Sequence, residues 1–186
     1  MHIPKKGLRA LGIAESYTGR SISRLAGVVM RKDLRIDGFI FSTVTVGGMD
    51  ATASILRMVH ELDRRDINVI MLSGCVIAWF NVINPDLIAE ETGIPVICVT
   101  YEESDGLSAD IRHHFPDDSL RITAYENLGD RIPVRLRTHQ TIFIRSWGLD
   151  QEDAARLCND FTLEGKIPEP LRVARLCARQ LPPSGS

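Results

Sequence analysis

The apolar residues at the start of the chain fall into short runs whose spacing predicts three strands. Along residues 8–16 small side chains alternate with larger ones. This alternation places Gly12 on a face suited to close packing of a helix and Glu15 at the end of the opposite, otherwise apolar face. Residues 25–30 and 34–44 are the next two apolar runs, and residues 31–33 form a short connection between them. The three runs therefore predict an antiparallel meander.

From residue 50 onward the pattern changes to helices that alternate with buried strands. Apolar residues within 50–62 recur at helical spacing, whereas 67–72 and 95–100 are nearly continuous apolar runs, typical of strands buried on both faces. Between these strands, Asn84 begins a helix and Gly93 ends it. This β-α-β unit predicts two parallel strands with a right-handed crossover. Weaker patterns follow, with helices near 107–114 and 120–128, a hairpin of 134–137 and 141–145, and helices from 150 and from 170.

Three antiparallel strands followed by helix, strand, helix and strand is the element order of the ribonuclease H-like fold. We therefore expect an α/β protein with a mixed sheet, in which an antiparallel three-strand meander precedes parallel β-α-β strands and helices cover both faces. A chain of 186 residues is long enough to bury a core as a single domain, residues 1–186. Residues 182–186 are predicted to be a disordered tail.

Composition limits the classes of function. The hydrophobic content of 44% and charged content of 25% are typical of a soluble globular protein, and the net charge of −2 argues against a polycation that holds nucleic acid by charge alone. Apolar runs long enough for a membrane span and the apolar stretch of a signal peptide are both missing, so we expect a cytoplasmic protein with no membrane partner. The four cysteines are widely spaced, and we interpret them as small buried apolar residues rather than zinc ligands.

Acidic and small residues gather at one predicted edge of the sheet. Because parallel strands end at the same edge, Glu15, the pair Ser73 and Gly74, residues 102–103 and the helix start at Asp50 should meet there. Carboxylates held together would repel one another unless a hard cation such as Mg²⁺ or Mn²⁺ lies between them. Two alternatives stay open, since Glu15 could be solvated beyond the strand end and Asp50 could be only a helix cap.

Asp37 is a further candidate carboxylate in the third strand. It shares a face with Phe39 and Phe41, which would turn it inward. Gly38 beside it could equally mark a β-bulge that turns Asp37 outward.

Several segments resemble the largely archaeal endonuclease-dU family, which itself resembles endonuclease V in fold. The most specific segment is residues 45–52 (Thr-Val-Gly-Gly-Met-Asp-Ala-Thr), and the resemblance spans nearly the whole chain through residues 12–16, 25–31, 34–38, 92–103 and 168–175. It implies an enzyme that cuts DNA at deoxyuridine. Residues 74–81 resemble the endonuclease V loop that lines the base pocket, so Trp79 is interpreted either as a platform for an extruded base or as a core residue.

This resemblance, together with the predicted edge, gives the candidate site of a Mg²⁺- or Mn²⁺-dependent endonuclease acting on DNA. The candidate catalytic residues are Glu15, Asp50 and Asp37, and the candidate metal ligands are Glu15, Asp50 and Glu102. The candidate substrate contacts are Gly47, Gly48, Ser73, Gly74, Trp79 and Tyr101.

One departure from the endonuclease V pattern keeps a second hypothesis open. Those enzymes place an acid at the end of the fourth strand, where this chain has Ser73. The alternative is therefore a catalytically inactive member of the fold that binds nucleic acid or a protein. The sequence contains no glycine motif that would support a third hypothesis, a small-molecule enzyme, because Gly47 and Gly48 are not followed by Lys and Ser or Thr. A homodimer is left open.

Overall fold

The computed structural model describes residues 7–17 and 21–180, which form a seven-stranded mixed sheet, a separate two-stranded sheet and the helices around them. The predicted tail, 182–186, lies outside the described residues. The strands are β1 (Arg9–Ser16), β2 (Ile22–Arg31), β3 (Ile36–Thr45), β4 (Val69–Ser73), β5 (Val76–Ile77), β6 (Asn81–Val82), β7 (Val96–Thr100), β8 (Ile132–Arg135) and β9 (Thr141–Trp147). The helices are α1 (Ala51–Leu62), α2 (Pro85–Thr92), α3 (Ser108–His114), α4 (Ser119–Glu126), α5 (Gln151–Phe161) and α6 (Glu169–Gln180).

The strand order in the large sheet is β3-β2-β1-β4-β7-β9-β8. The first three strands pair antiparallel, whereas β4 pairs parallel with β1 and with β7. These pairings confirm the predicted α/β mixed sheet, with a meander followed by parallel β-α-β strands. The hairpin of β8 and β9 then extends the sheet antiparallel beyond β7. We call the edge at which β1, β4 and β7 end the carboxyl edge.

Helices cover both faces of this sheet, as predicted. Ile55 of α1 and Ile88 of α2 belong to one buried cluster with Leu11 of β1. Leu157 of α5 and Ala174 of α6 belong to a second cluster on the other face. Within the described ranges, no helix is long and apolar enough to cross a membrane.

The small-residue face of β1 allows α6 to pack directly on the strand. A Cβ atom on Gly12 would lie 2.5 Å from the carbonyl carbon of Pro170, so any larger residue would push the first turn of α6 away. Because side chains alternate along a strand, Glu15 then points to the opposite face, which α1 covers.

Two of the four cysteines are buried as expected and are also paired with each other, which the sequence interpretation missed. Cys75 and Cys98 are joined as a disulfide, with a Cα–Cα distance of 6.2 Å, and both are buried. They are 23 residues apart in sequence, and only the pairing of β4 with β7 brings them together. Cys158 is a buried free thiol, as expected for a small apolar residue.

Candidate functional site

Glu15 lies at the carboxyl edge on the α1 side of the sheet. Its Oε1 accepts a hydrogen bond of 2.6 Å from the Ser23 hydroxyl, and the backbone N–H of Ala78 is a second donor. Burial raises the pKa of Glu15 above its ordinary value, although both hydrogen bonds act in the opposite direction. Glu15 also lines a cavity of about 10 Å³ together with Ser73 and Gly74, a volume that admits one water molecule at most. Perturbed carboxyl groups at such positions are candidates for catalysis or metal binding.

Asp50 occupies the N-cap position of α1, but its side chain bonds elsewhere. Its carboxylate accepts the Thr45 backbone N–H at 3.1 Å, the Thr45 hydroxyl at 2.9 Å and the Asn81 amide at 2.6 Å. Burial acts to raise the pKa of Asp50, but the hydrogen bonds from Asn81 and Thr45 outweigh it and lower the pKa. The capping interaction expected of Asp50 comes instead from Asn81, whose Oδ1 accepts the Ala51 N–H at 3.1 Å. Asp50 therefore ties the end of β3 to β6.

A strained loop lies between Glu15 and the turn at Gly47. Ala78, Trp79 and Phe80, which we call the 78–80 loop, have φ angles of 43°, 59° and 62° in succession. Left-handed backbone costs roughly 1–2 kcal/mol for each residue that carries a Cβ, and such strain persists only where the surroundings enforce it. The N–H of Ala78 contacts Glu15 on one side, and its carbonyl accepts the Gly47 N–H at 2.8 Å on the other.

Arg121 of α4 is the principal enforcing contact. Its guanidinium donates to the carbonyl oxygens of Gly47 and Gly48 at 2.9 Å and of Phe80 at 2.5 Å, and its side chain is only 5% exposed. Asp118 orients it through an ion pair of 3.0 Å. Sequence reasoning missed Arg121, because nothing in the local pattern of α4 distinguishes a buried arginine from an exposed one.

Trp79 is exposed at the rim of this loop rather than buried in the core. The residue is 45% exposed, and its ring centroid lies 4.9 Å from that of His114 and 5.3 Å from that of Phe80. Gly47 has a φ of +70° and lies beneath the indole, where an added Cβ would come within 3.6 Å of Trp79 Cδ1. The predicted contacts Gly47, Gly48 and Trp79 are therefore adjacent in space.

Asp37 does not join this edge. A register shift between β2 and β3 leaves it as the extra residue of a β-bulge, so the outward interpretation is the right one. Its carboxylate pairs with Arg9 at 2.5 Å and Arg64 at 2.7 Å, and hydrogen bonds from these two groups lower its pKa to about 2. Glu15 lies six residues further along β1 than Arg9, which puts Asp37 roughly 20 Å away at the opposite edge.

Glu102 and Tyr101 lie beyond the end of β7 but have other partners. Glu102 is exposed and forms an ion pair with Lys166, which also donates to the Tyr101 carbonyl at 3.0 Å. The Tyr101 side chain packs on the α5 and α6 side of the sheet, opposite to Glu15, and the Arg175 guanidinium lies 4.9 Å from its ring centroid. Burial raises the pKa of the Tyr101 phenol. The structure therefore does not bring either side chain to Glu15.

The described residues offer a limited set of metal ligands. In residues 7–17 and 21–180, no three His, Cys, Asp or Glu side chains are placed to hold one metal ion together. Mg²⁺, however, is commonly bound through one or two carboxylates and completed by waters and substrate phosphates. Glu15 fits such a site. Asp50 fits only if Asn81 or Thr45 gives up its hydrogen bond.

Comparisons with known proteins identify the family of the chain and its fold. The sequence profile of the family described as Endonuclease dU matches residues 6–182. A UPF0215 protein of Pyrobaculum calidifontis is 40% identical over 173 residues, which cover 90% of this chain and 93% of that protein.

Solved structures show the same fold. A protein of unknown function from Archaeoglobus fulgidus superposes with a TM-score of 0.82 at 28% identity, covering 92% of this chain and 96% of its own. Endonuclease V of Ciona intestinalis, in complex with a 24mer DNA containing an inosine, superposes with a TM-score of 0.63 at 14% identity, covering 94% and 85%. The second likeness confirms the predicted ribonuclease H-like, endonuclease V-like fold.

Proposed function

Because the chain belongs to the endonuclease dU family, we propose that it is a metal-dependent endonuclease that cuts DNA at a damaged base such as deoxyuridine. The family and the endonuclease V-like fold support a nuclease-type function. The observation that carries the proposal is Glu15, a half-buried carboxyl group with a raised pKa at the carboxyl edge. Ligands of open α/β sheets bind outside this edge.

Glu15 would hold Mg²⁺ or Mn²⁺ together with waters and oxygens of the scissile phosphate. The bound ion would polarise the phosphate and supply a more acidic water as nucleophile. Asp50 has its oxygens engaged by Thr45 and Asn81, so we assign it first to positioning the turn at Gly47 and Gly48. Its predicted role as a second metal ligand requires one of these hydrogen bonds to open.

The 78–80 loop would receive the damaged base. Trp79 presents an exposed indole beside His114, and aromatic faces stack on extruded bases with a contribution of roughly 1–3 kcal/mol per base. Arg121 fixes the loop through the Phe80 carbonyl, so the platform is held in place before DNA arrives. This arrangement supports an enzyme that acts on a base taken out of the stack.

The test is cleavage of a DNA duplex that contains one deoxyuridine, compared with the same duplex containing thymidine, in Mg²⁺, Mn²⁺ or EDTA. We expect cleavage only of the deoxyuridine strand and only with a divalent ion. Glu15→Gln should lower the rate by about 100-fold or more, because it removes the charge that holds the ion. Asp37→Asn, at the opposite edge, is the matched control and should cut like wild type. Unchanged cleavage by Glu15→Gln would overturn the assignment.

A catalytically inactive member of the fold is the second candidate. Ser73 ends β4 where a third carboxylate is expected, and the Asp50 oxygens already have donors. In that case the protein would bind the deoxyuridine duplex but would not cut it in the presence of either Mg²⁺ or Mn²⁺.

Three further expectations concern the partner, the domain and the location. We infer that DNA is the partner, by analogy with the DNA-bound endonuclease V. That residues 1–186 form one domain and that the protein is cytoplasmic stay predictions. The homodimer left open by the sequence finds no support in the comparisons.

A further inference from the structure

A second polar cavity lies at the carboxyl edge, on the same side of the sheet as Glu15. It has a volume of about 160 Å³, and Gly74, Thr100, Tyr125, Arg131 and Arg145 are among its lining residues. We call it the arginine cavity. None of the described residues that line it carries a carboxylate, although two of them carry a guanidinium.

The register of the sheet fixes where Arg145 lies relative to Glu15. Ile13, Leu72, Cys98 and Arg145 face one another in one row across β1, β4, β7 and β9. Glu15 is two residues beyond Ile13 along β1, and therefore on the same face. Three strand spacings of about 4.8 Å across the sheet and two residues along β1 together place the Glu15 and Arg145 backbones roughly 16 Å apart, before the length of the Arg145 side chain is counted.

Arg145 is oriented but not neutralised. Its Nε donates to the Gly129 carbonyl at 2.8 Å, and within residues 7–17 and 21–180 its two Nη atoms make no hydrogen bond or ion pair. Burial lowers the pKa of Arg145, and the charge of Arg131 acts in the same direction, while Tyr125 and Asp130 oppose it. The side chain thus keeps four N–H donors for a ligand.

Arg131 is fixed by neutral oxygens alone. Its guanidinium donates to the Ser104 carbonyl at 2.7 Å, the Ser104 hydroxyl at 3.0 Å and the Glu102 carbonyl at 3.3 Å. In the described part of the chain no carboxylate is within ion-pair distance of it. Neither guanidinium group has a carboxylate partner among the described residues, so both keep their charge available for an anion at the cavity.

We propose that the arginine cavity is a phosphate-binding subsite for the backbone of the nucleic acid, beside the Glu15 site. Arginine forks match phosphate oxygens in geometry and charge. The Tyr125 hydroxyl accepts the Leu107 N–H at 2.8 Å, which leaves its own O–H to donate. The nature of the polymer rests on the proposed function, whereas the anion-binding chemistry does not.

Acidic groups restrict the direction of approach. The wider groove outside the cavity is lined by Glu103, Asp105, Glu126 and Asp130 as well as by both arginines. These carboxylates disfavour a backbone arriving from that side. Gly74 lines both the Glu15 cavity and the arginine cavity, so we place the bound strand along the carboxyl edge between them.

The first experiment measures binding of a deoxyuridine duplex in EDTA, where it is not cut, as a function of salt. Arg145→Gln should weaken binding about fivefold and reduce the slope of log K against log salt by about 1, as expected for one lost phosphate contact. Arg145→Lys should recover part of the affinity. Arg35→Gln removes the same charge from an exposed site beyond the opposite edge and should leave the slope unchanged.

The second experiment separates this proposal from the proposed function. Pyrophosphate is titrated against each folded variant, and binding is followed by calorimetry. Wild type and Arg35→Gln should bind it, and Arg145→Gln should bind at least about fivefold more weakly. If wild type cuts deoxyuridine DNA but Arg145→Gln matches it in salt slope and pyrophosphate affinity, the subsite is wrong and the nuclease stands. If pyrophosphate binding depends on Arg145 but no DNA is cut, the subsite stands and the nuclease fails.

Discussion

The side-chain amide of Asn81 joins the Asp50 carboxylate to the first turn of α1. Its Nδ2 donates to Asp50 Oδ1 at 2.6 Å, and its Oδ1 accepts the Ala51 N–H at 3.1 Å. Asn81 is fully buried, and its bond to the Ala51 N–H is buried with it, while its bond to the Asp50 carboxylate is partly buried. One side chain therefore holds the position of a candidate site carboxylate and the start of the helix that follows it.

We predict that Asn81→Ala lowers the free energy of unfolding by about 2–4 kcal/mol, because it leaves a charged acceptor and a helix N–H without their partner. The measurement is urea denaturation. Asn159→Ala is the control, since Asn159 also accepts a backbone N–H, from Arg137 at 2.8 Å, but at an exposed site. It should cost about 1 kcal/mol or less. Equal losses in the two variants would contradict the structural role of Asn81.

Asp50 should also give the fold a defined pH dependence. Hydrogen bonds lower its folded pKa against the opposing effect of burial. Its contribution is therefore fully present above the unfolded pKa of about 3.9 and is lost as pH falls through the lower folded pKa. Stability curves of wild type and Asp50→Asn between pH 2 and pH 7 should converge at the acid end. Curves that stay parallel would show that Asp50 does not titrate as proposed.

Arg121 should decide whether the 78–80 loop keeps its left-handed backbone. Arg121→Lys retains the charge but loses the fork that reaches Gly47, Gly48 and Phe80. We expect a loss of about 2–4 kcal/mol in unfolding free energy and faster amide exchange at residues 78–80. Arg112→Lys, in an exposed pair with Glu126, should cost less than about 0.5 kcal/mol. Unchanged exchange in Arg121→Lys would show that other contacts hold the loop.

Local alternation was sufficient to predict β1 and the direction of its side chains. Gly12 lies under Pro170, and Glu15 points to the α1 side. Both directions follow from the two-residue period of a strand, which can be read without knowledge of tertiary contacts. Asp37 could not be placed in this way, because the face that it shares with Phe39 and Phe41 is not a core face. Both rings are 46% exposed, and Asp37 is exposed with them.

The rest of the site depends on contacts between residues far apart in sequence. The sequence left open that Asp50 only caps α1, but its carboxylate bonds to Thr45 and Asn81 instead of the helix N–H groups. Arg121 is buried because three carbonyls from distant turns meet it, and no pattern within α4 reports their presence. The alternation and the element order thus predicted the sheet, whereas the hydrogen bonds at the carboxyl edge could be identified only from the structure.

The disulfide between Cys75 and Cys98 should stabilise the fold. It closes a loop of 23 residues, for which the chain-entropy treatment gives about 3 kcal/mol. The double variant Cys75→Ala, Cys98→Ala should unfold at lower urea, and wild type should shift by a similar amount in dithiothreitol. Cys158→Ala is the control, because it removes a free thiol and keeps the Cys75–Cys98 pair. Dithiothreitol should therefore shift its unfolding as much as that of wild type. Two titratable thiols at Cys75 and Cys98 in the non-reduced, unfolded protein would contradict the bond.

Glu15→Gln should make the protein more stable and less active at the same time. Burial raises the folded pKa of Glu15, so the charged form costs stability above that pKa, and the cost vanishes below the unfolded pKa of about 4.3. Glutamine can still accept from Ser23 and Ala78 but carries no charge. We expect Glu15→Gln to be more stable than wild type at pH 7 and equally stable at pH 3.

The same variant tests the metal role without relying on activity. Mg²⁺ should raise the melting temperature of wild type at pH 7 and leave Glu15→Gln unchanged, because a ligand that binds only the native state stabilises it. Glu90→Gln on the exposed side of α2 controls for the loss of one negative charge and should respond to Mg²⁺ like wild type. A Glu15→Gln protein that is less stable than wild type at pH 7, or that gains as much from Mg²⁺, would show that Glu15 is a structural acceptor for Ser23 rather than the carboxylate of the site.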